Sequence, residues 1–415
     1  MPGIRLRAQG ASARLAAAPA KAGIWTLTIA ALACGSLLAQ QSPEVRALWV
    51  QRGSLTSPAS IIAAVDRATD GGFNTLIVQV RGRGDAYYDS RYEPRPALLA
   101  RQPESFDPLE LMLERAHRAG IKVHAWVNVN LVSDAEPPAS RRHLVYLRPE
   151  WLMVPRPLAE DLFRLNPRDP QYLKRLSEYA RARSDRVEGL FLSPIHKGAA
   201  DHVTKVIGDI VSRYDVDGVH LDYIRFPNDE FDYSADALEE FRSSITSRAN
   251  ASERREYTAR AKGRPLFYTE MFPQGWQEFR RSRLTALLSR IRSTVKARRP
   301  RTMLTAAVFP DAADATNRRF QDWGGWLASG LLDAICPMAY TTDAALFRTQ
   351  IAAVEQLARE YPVWAGIGAF QLRPSATAQN IRAARQLGAE GVVLFSYDNL
   401  DSTYVDAVTK EAFAP

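Results

Sequence analysis

The residues best suited to acid–base chemistry lie in the stretch YDVDGVHLDYIRFP, residues 214–227. In GVHLDYI, alternation puts His220 and Asp222 on one face of a strand and Leu221 on the other. An Asp within an apolar strand is costly unless it faces an opening and finds partners. Arg225, three residues on, offers a cation that can hold it ionised, and His220 is expected to hydrogen-bond Asp222 or a substrate. The alternative is an Asp–Arg pair that only closes the end of a strand. Where two carboxyl groups share the work, one gives a proton and the other acts as nucleophile or base. Glu270 ranks first as partner, because the aromatics of FYTEMFP would raise its pKa as a general acid requires. Asp311 after MLTAAVFP and Asp343 after PMAYTTD follow, and each also reads as a helix cap or loop charge. Asp398, ending FSYDNL, reads as a hydroxyl-binding partner.

Recognition of polyhydroxylated rings needs flat apolar faces beside hydrogen-bonding groups. Trp49, Trp126, Tyr340 and Tyr397 lie at or near strand ends, and so do Arg81, Arg83, Asn128 and Asn130. Trp49, Arg81, Trp126, Asn128, His220, Arg225, Tyr340 and Asp398 form the expected substrate-binding set. Asp85, Tyr87 and Tyr88 in GRGDAYYDS are expected at the rim. The six histidines show no short zinc spacing, so no metal and no cofactor is expected. His124 and His220 can both reach a barrel mouth, which keeps a metal-dependent deacetylase as a minor alternative. No Ser-centred nucleophile elbow is present.

These residues need elements to position them. After the N-terminal region, short β-branched runs alternate with longer amphipathic runs that end near Gly or Pro, the pattern of parallel strands with crossover helices. Eight strand segments stand out: Val45–Gln51, Thr75–Arg81, Lys122–Asn128, Gly218–Ile224, Met303–Phe309, Asp333–Tyr340, Val363–Ala369 and Gly391–Tyr397. Eight such units predict an α/β fold, a (β/α)8 TIM barrel, and no Gly-rich phosphate fingerprint argues for a dinucleotide fold. Two connections exceed plain loops: 131–199 after strand 3, with a helix expected near Gln171–Arg183, and 228–275 after strand 4. Both leave the C-terminal ends of strands, where insertions shape clefts. The barrel is expected to occupy residues 44–405 as one domain.

The chain has 415 residues, 46% of them hydrophobic and 24% charged, which is ample for a large core. Residues 1–39 read as a secretory signal: Arg5, Arg7, Arg14 and Lys21, then GIWTLTIAALACGSLLA, then polar QQSPE. Cleavage after Ala39 is the plain expectation. Ala31-Leu32-Ala33 before Cys34 resembles a lipoprotein box, in which a lipidated Cys34 would attach the protein to a membrane; Ala31 stands where that box usually has Leu. The net charge is +8, and the leader holds four positive residues and no acid, which leaves +4. That excess is too mild for a nucleic-acid footprint. Cys336 is expected to be buried and inert. Oligomeric state is not legible.

The strand ends resemble the glycosyl-hydrolase-like family 10 of bacterial exported barrels, which includes a peptidoglycan glycan-strand hydrolase. The pieces are EVRALWV, NTLIVQVRGRGDAYYDS, FDPLELMLERAHRAGIKVHAWVNVN, YDVDGVHLDYIRFP, WQEFRRSRLTALLSRI, LDAICPMAY and GVVLFSYDNL, from about Glu44 to Leu400. The resemblance implies a barrel and a carbohydrate substrate. The chain departs from the family pattern at Tyr223, where relatives often have a second Asp, and at Arg283, where many have Asn. The expectation is an exported glycoside hydrolase of a cell-envelope polysaccharide, such as peptidoglycan glycan strands or another amino-sugar polymer. A barrel that binds carbohydrate without cleaving it is the alternative.

Overall fold

The computed structural model of the chain describes residues 43–413. The leader and Cys34 lie outside the described residues. All eight expected strands form: β1 (Val45–Val50), β2 (Thr75–Arg81), β3 (Lys122–Asn128), β4 (Gly218–Asp222), β5 (Met303–Val308), β6 (Ala334–Pro337), β7 (Trp364–Ile367) and β8 (Gly391–Leu394). Parallel ladders run in the order β6-β5-β4-β3-β2-β1-β8-β7. Two isolated parallel bridges, Ile335–Val363 and Met338–Gly366, join β6 to β7 and close the barrel. Several strands end earlier than their apolar runs. After β8, for example, the chain turns into a 3-10 segment at Tyr397–Asn399.

The alternation of the strands sorts the core in two. Ala47, Trp49, Ile77, Trp126, Ala334, Cys336, Trp364 and Val393 fill the barrel. Their neighbours, such as Leu48, Leu76, Val123 and Leu221, pack outward under the helices. Two glycines make room inside. A Cβ on Gly218 would lie 2.4 Å from Nδ1 of His124, and one on Gly366 would lie 3.0 Å from the Trp49 ring. Cys336 is buried and free, and burial pushes its thiol pKa up, so it is inert as expected.

Helix starts follow the sequence signals. Asp107 accepts from the amides of Leu109 and Glu110 at the head of Pro108–Arg118, a cap worth about 1 kcal/mol. Both long insertions sit where expected. The first pairs Leu131–Ser133 antiparallel with Leu190–Phe191 and carries the helix Pro170–Arg181. The second holds Ala235–Thr246, Ala251–Ala261 and Phe267–Met271. Buried Asp232 fastens them together, its Oδ1 accepting from Val154 N at 2.9 Å and Ser234 N at 2.8 Å. The chain packs on past residue 405: Phe413 meets Phe73 edge-to-face, with centroids 5.3 Å apart. No described helix is long and apolar enough to cross a membrane.

Candidate active site

At the C-terminal end of the barrel a pocket of about 220 Å³ is lined by residues from most of the strand ends, among them Trp49, Trp126, Asp222, Arg225, Tyr340 and Phe395. Asp222 is the last residue of β4 and is 7% exposed. Its Oδ1 takes two hydrogen bonds, from Tyr223 N at 2.7 Å and from Arg225 NH1 at 3.2 Å. Oδ2 is thus the oxygen left for the pocket. Tyr223 has φ of +51°, an uncommon conformation for a residue with a large side chain, and this turn brings its amide back onto the carboxylate before it.

Two effects compete at Asp222. Burial disfavours the charged form, while Arg225 and the Tyr223 amide favour it. Burial wins, and Glu188 adds to it, so the carboxyl is held above its ordinary range. Arg225 is itself buried. It donates NH2 to Glu188 Oε1 at 3.2 Å and lies 3.9 Å from the centroid of the Tyr223 ring. Asp222, Arg225 and Glu188 form one linked group.

The apolar floor comes from four rings. Phe395 meets Tyr340 at 5.4 Å, Trp49 at 5.9 Å and Trp126 at 6.4 Å between centroids. Phe370, 49% exposed, continues this surface outward from Tyr340. Trp126 is aimed by Asn128, whose Oδ1 accepts from the indole N–H at 2.8 Å.

Several sequence expectations meet a different structure. His220 makes no hydrogen bond to Asp222. It is fully buried, its Nε2 accepts from the Trp49 indole at 3.2 Å, and its Nδ1 bonds Thr305 Oγ1 at 2.9 Å. Burial, with His124 adding, pushes its pKa down to about 3, so it is a neutral core residue that fixes Trp49. Burial also lowers His124, to about 4. Among the described residues no three His, Cys, Asp or Glu side chains converge as metal ligands would. Arg81 is buried against Glu93 in a bidentate pair at 2.8 and 2.7 Å, and Asn128 is fully buried. Both support the pocket from beneath. Tyr87 and Tyr88 are buried as well, so of the GRGDAYYDS stretch it is Arg83 that lines the pocket.

The expected partner acids do not line this pocket. Glu270 lines a separate cavity between the two insertions. Its setting is polar, with Arg264 at 3.2 Å and Arg156 at 3.6 Å, and not the apolar one its aromatic neighbours suggested. Asp311 caps Ala312–Asn317, and Asp343 caps Ala344–Ala358. Asp398 accepts from Gln51 N at 2.8 Å and Ser54 Oγ at 2.7 Å, which ties the end of β8 to the turn after β1. Tyr397 faces Arg67 instead of the pocket, because the chain has already left β8. Arg283 pairs with Glu240 on the surface. Arg52, Gln79, Glu188 and Phe395 were not singled out from the sequence. Glu188 reaches the site only because the first insertion folds back on the β3 end, a pairing across some sixty residues that no local pattern records.

The family model "Glycosyl hydrolase-like 10" matches residues 44–368. The chain belongs to this family. The protein named Glycosyl hydrolase DigH from Escherichia coli K12 is 26% identical over 337 residues, covering 77% of this chain and 65% of that protein. Glycosyl hydrolase YngK from Bacillus subtilis is 23% identical over 342 residues, covering 73% and 55%. The chain therefore spans two thirds or less of these relatives. Among solved structures, the glycoside hydrolase domain of PgaB (BpsB) from Bordetella bronchiseptica aligns over 90% of this chain and 100% of its own, with a TM-score of 0.61 at 15% identity. A β-galactosidase from Bacillus circulans aligns over 86% of this chain and 51% of its own, with a TM-score of 0.58 at 12% identity. At such identities these likenesses speak for the barrel fold.

Proposed function

We propose that this protein is an exported glycoside hydrolase acting on a cell-envelope polysaccharide, with an amino-sugar polymer such as peptidoglycan glycan strands as the preferred candidate. Asp222 carries this reading: a carboxyl at a barrel strand end, raised by burial, with one oxygen toward a pocket floored by aromatic rings. A protonated carboxyl in that place can give its proton to the glycosidic oxygen as the bond to the anomeric carbon breaks. Arg225 stabilises the carboxylate left behind; water then adds its hydroxyl to the anomeric carbon and returns its other proton to the Asp222 carboxylate. The partly exposed rings of Tyr340 and Phe395, backed by the buried Trp49 and Trp126, offer the flat faces that sugar rings pack on. The family relatives DigH and YngK, each named as a glycosyl hydrolase, agree with this chemistry.

A specific experiment decides it. The full chain is incubated with purified envelope glycans and released reducing ends are counted, with Asp222→Asn alongside. Loss of a proton donor typically costs about 10²–10⁴-fold in rate, so the variant is expected to fall at least a hundredfold while keeping its fold by circular dichroism. Undiminished release by Asp222→Asn would remove Asp222 from the mechanism. One observation favours a second reading, a barrel that binds glycan without cleaving it: among the described residues Asp222 is the one carboxylate lining the pocket. Glycan binding without turnover on any polymer supports that reading.

A further inference from the structure

The pocket's charge is unbalanced. Among the described residues three guanidinium groups line it, from Arg52, Arg83 and Arg225, against the single carboxyl of Asp222. Arg225 is paired with Asp222 and Glu188, and Arg83 with Asp134. Arg52 has no carboxylate within ion-pairing distance among the described residues; it donates from NH1 to Gln79 Oε1 at 3.2 Å. A partly buried cation without a counter-ion is costly, and a cleft of one sign attracts ligands of the other.

The surroundings of Arg52 are built to hold it there. Asp398 anchors the turn that carries it, through Gln51 N and Ser54 Oγ. Its side chain crosses Gly82 so closely that a Cβ there would lie 2.7 Å from Cδ and 2.8 Å from NH1. Gln51 and Gln79 flank it with neutral hydrogen-bonding groups, and Trp49 and Trp126 stand in the same pocket. A guanidinium fixed above an apolar floor suits a planar carboxylate better than a hydroxyl.

We infer that the sugar unit seated in this pocket carries a carboxylate, and that Arg52 is the residue that selects for it. The inference rests on the reading of the site as a glycan site. Two sources share the chemistry: a hexuronic acid, or an amino sugar bearing a carboxylic acid ether. The neutral glutamines pair with the remaining oxygens of such a ring, while Asp222 stays free for the scissile bond.

The test compares each polymer with its own carboxyl-reduced form. Peptide-free peptidoglycan glycan strands and polygalacturonate represent the two sources, each native and after carbodiimide-mediated reduction of the carboxyls to alcohols. Binding and reducing-end release are measured for the full wild-type chain, Arg52→Gln and Arg52→Lys. The wild type is expected to prefer one native polymer over its reduced form by about 10–100-fold, the scale of a charge-assisted hydrogen bond; which polymer shows the preference names the source. Arg52→Gln is expected to bring that ratio close to one, and Arg52→Lys to keep part of it. Added salt is expected to weaken binding of the native polymer more than the reduced one. Equal use of native and reduced polymers by the wild type overturns the acidic-sugar inference and leaves glycoside hydrolysis standing. A preference that survives Arg52→Gln intact overturns the role of Arg52. No binding and no turnover on any polymer overturns both readings.

Discussion

Asp222 is buried beside a cation, and these two influences pull its proton in opposite directions. Arg225 lowers the carboxyl and burial raises it, so removing Arg225 removes a restraint on the upward shift. A general acid works only while protonated, and its activity falls as pH rises through its pKa. Arg225→Gln is therefore expected to move the alkaline limb of the kcat/KM profile to higher pH, whereas if Asp222 acted as a base the acidic limb would move instead. An unmoved limb would show that Asp222 does not set it. At this scale the sequence was informative about type and less so about direction. The spacing of Asp222 and Arg225 in LDYIR was enough to pair them. The Trp49–His220–Thr305 chain was hidden, because it crosses the barrel between strands far apart in sequence.

Elements succeed or fail by which side chain holds their ends together. β2 reaches the mouth through Arg81, which is buried with Glu93, while Glu93 also accepts from His202 Nε2 at 3.0 Å. Burial pushes Glu93 upward, but Arg81 and His202 outweigh it and hold it at about 2. Arg81 also donates to the carbonyls of Asn128 and Val129, so this group braces the β3 end that aims Trp126. Glu93→Gln leaves a buried guanidinium uncompensated and is expected to cost about 3–5 kcal/mol in denaturant unfolding at neutral pH. Because the folded pKa of Glu93 is depressed, its contribution is present above the ordinary carboxylate value and is lost as pH falls from there towards about 2. The gap between wild type and variant should narrow over that window; a gap that is small at neutral pH, or constant down to pH 2, would place the brace elsewhere. The strands themselves were legible, since period-two alternation of β-branched residues is a local signal. The partner acids were not, for a reason visible at Asp311 and Asp343: an Asp just past a strand end is also an Asp about to cap a helix, and here both cap.

At the scale of the whole molecule, the leader expected at residues 1–39 bears on where the protein works. Glu44 is tied into the barrel through Arg46 at 2.8 Å and Arg385 at 2.5 Å, an anchor at the head of β1. The two cleavage readings differ in what they leave. A cut after Ala39 frees a chain starting at Gln40, four residues before Glu44. A cut before Cys34 leaves ten residues, Cys34 to Pro43, which at roughly 3.5 Å per residue would tether the barrel within about 35 Å of a membrane surface. Such a tether suits an enzyme that works on a polymer fixed near that membrane, and the two acyl chains of a diacylglyceryl Cys suffice for stable attachment. Expressed at full length in a bacterial host, the protein is expected outside the cytoplasm with its N-terminus at Gln40 and in the aqueous phase of a detergent partition. A blocked N-terminus at Cys34, with detergent-phase partition abolished by Cys34→Ser, would establish the tethered form instead. An intact Met1 on protein retained in the cytoplasm would overturn export, and with it the envelope polymer as substrate.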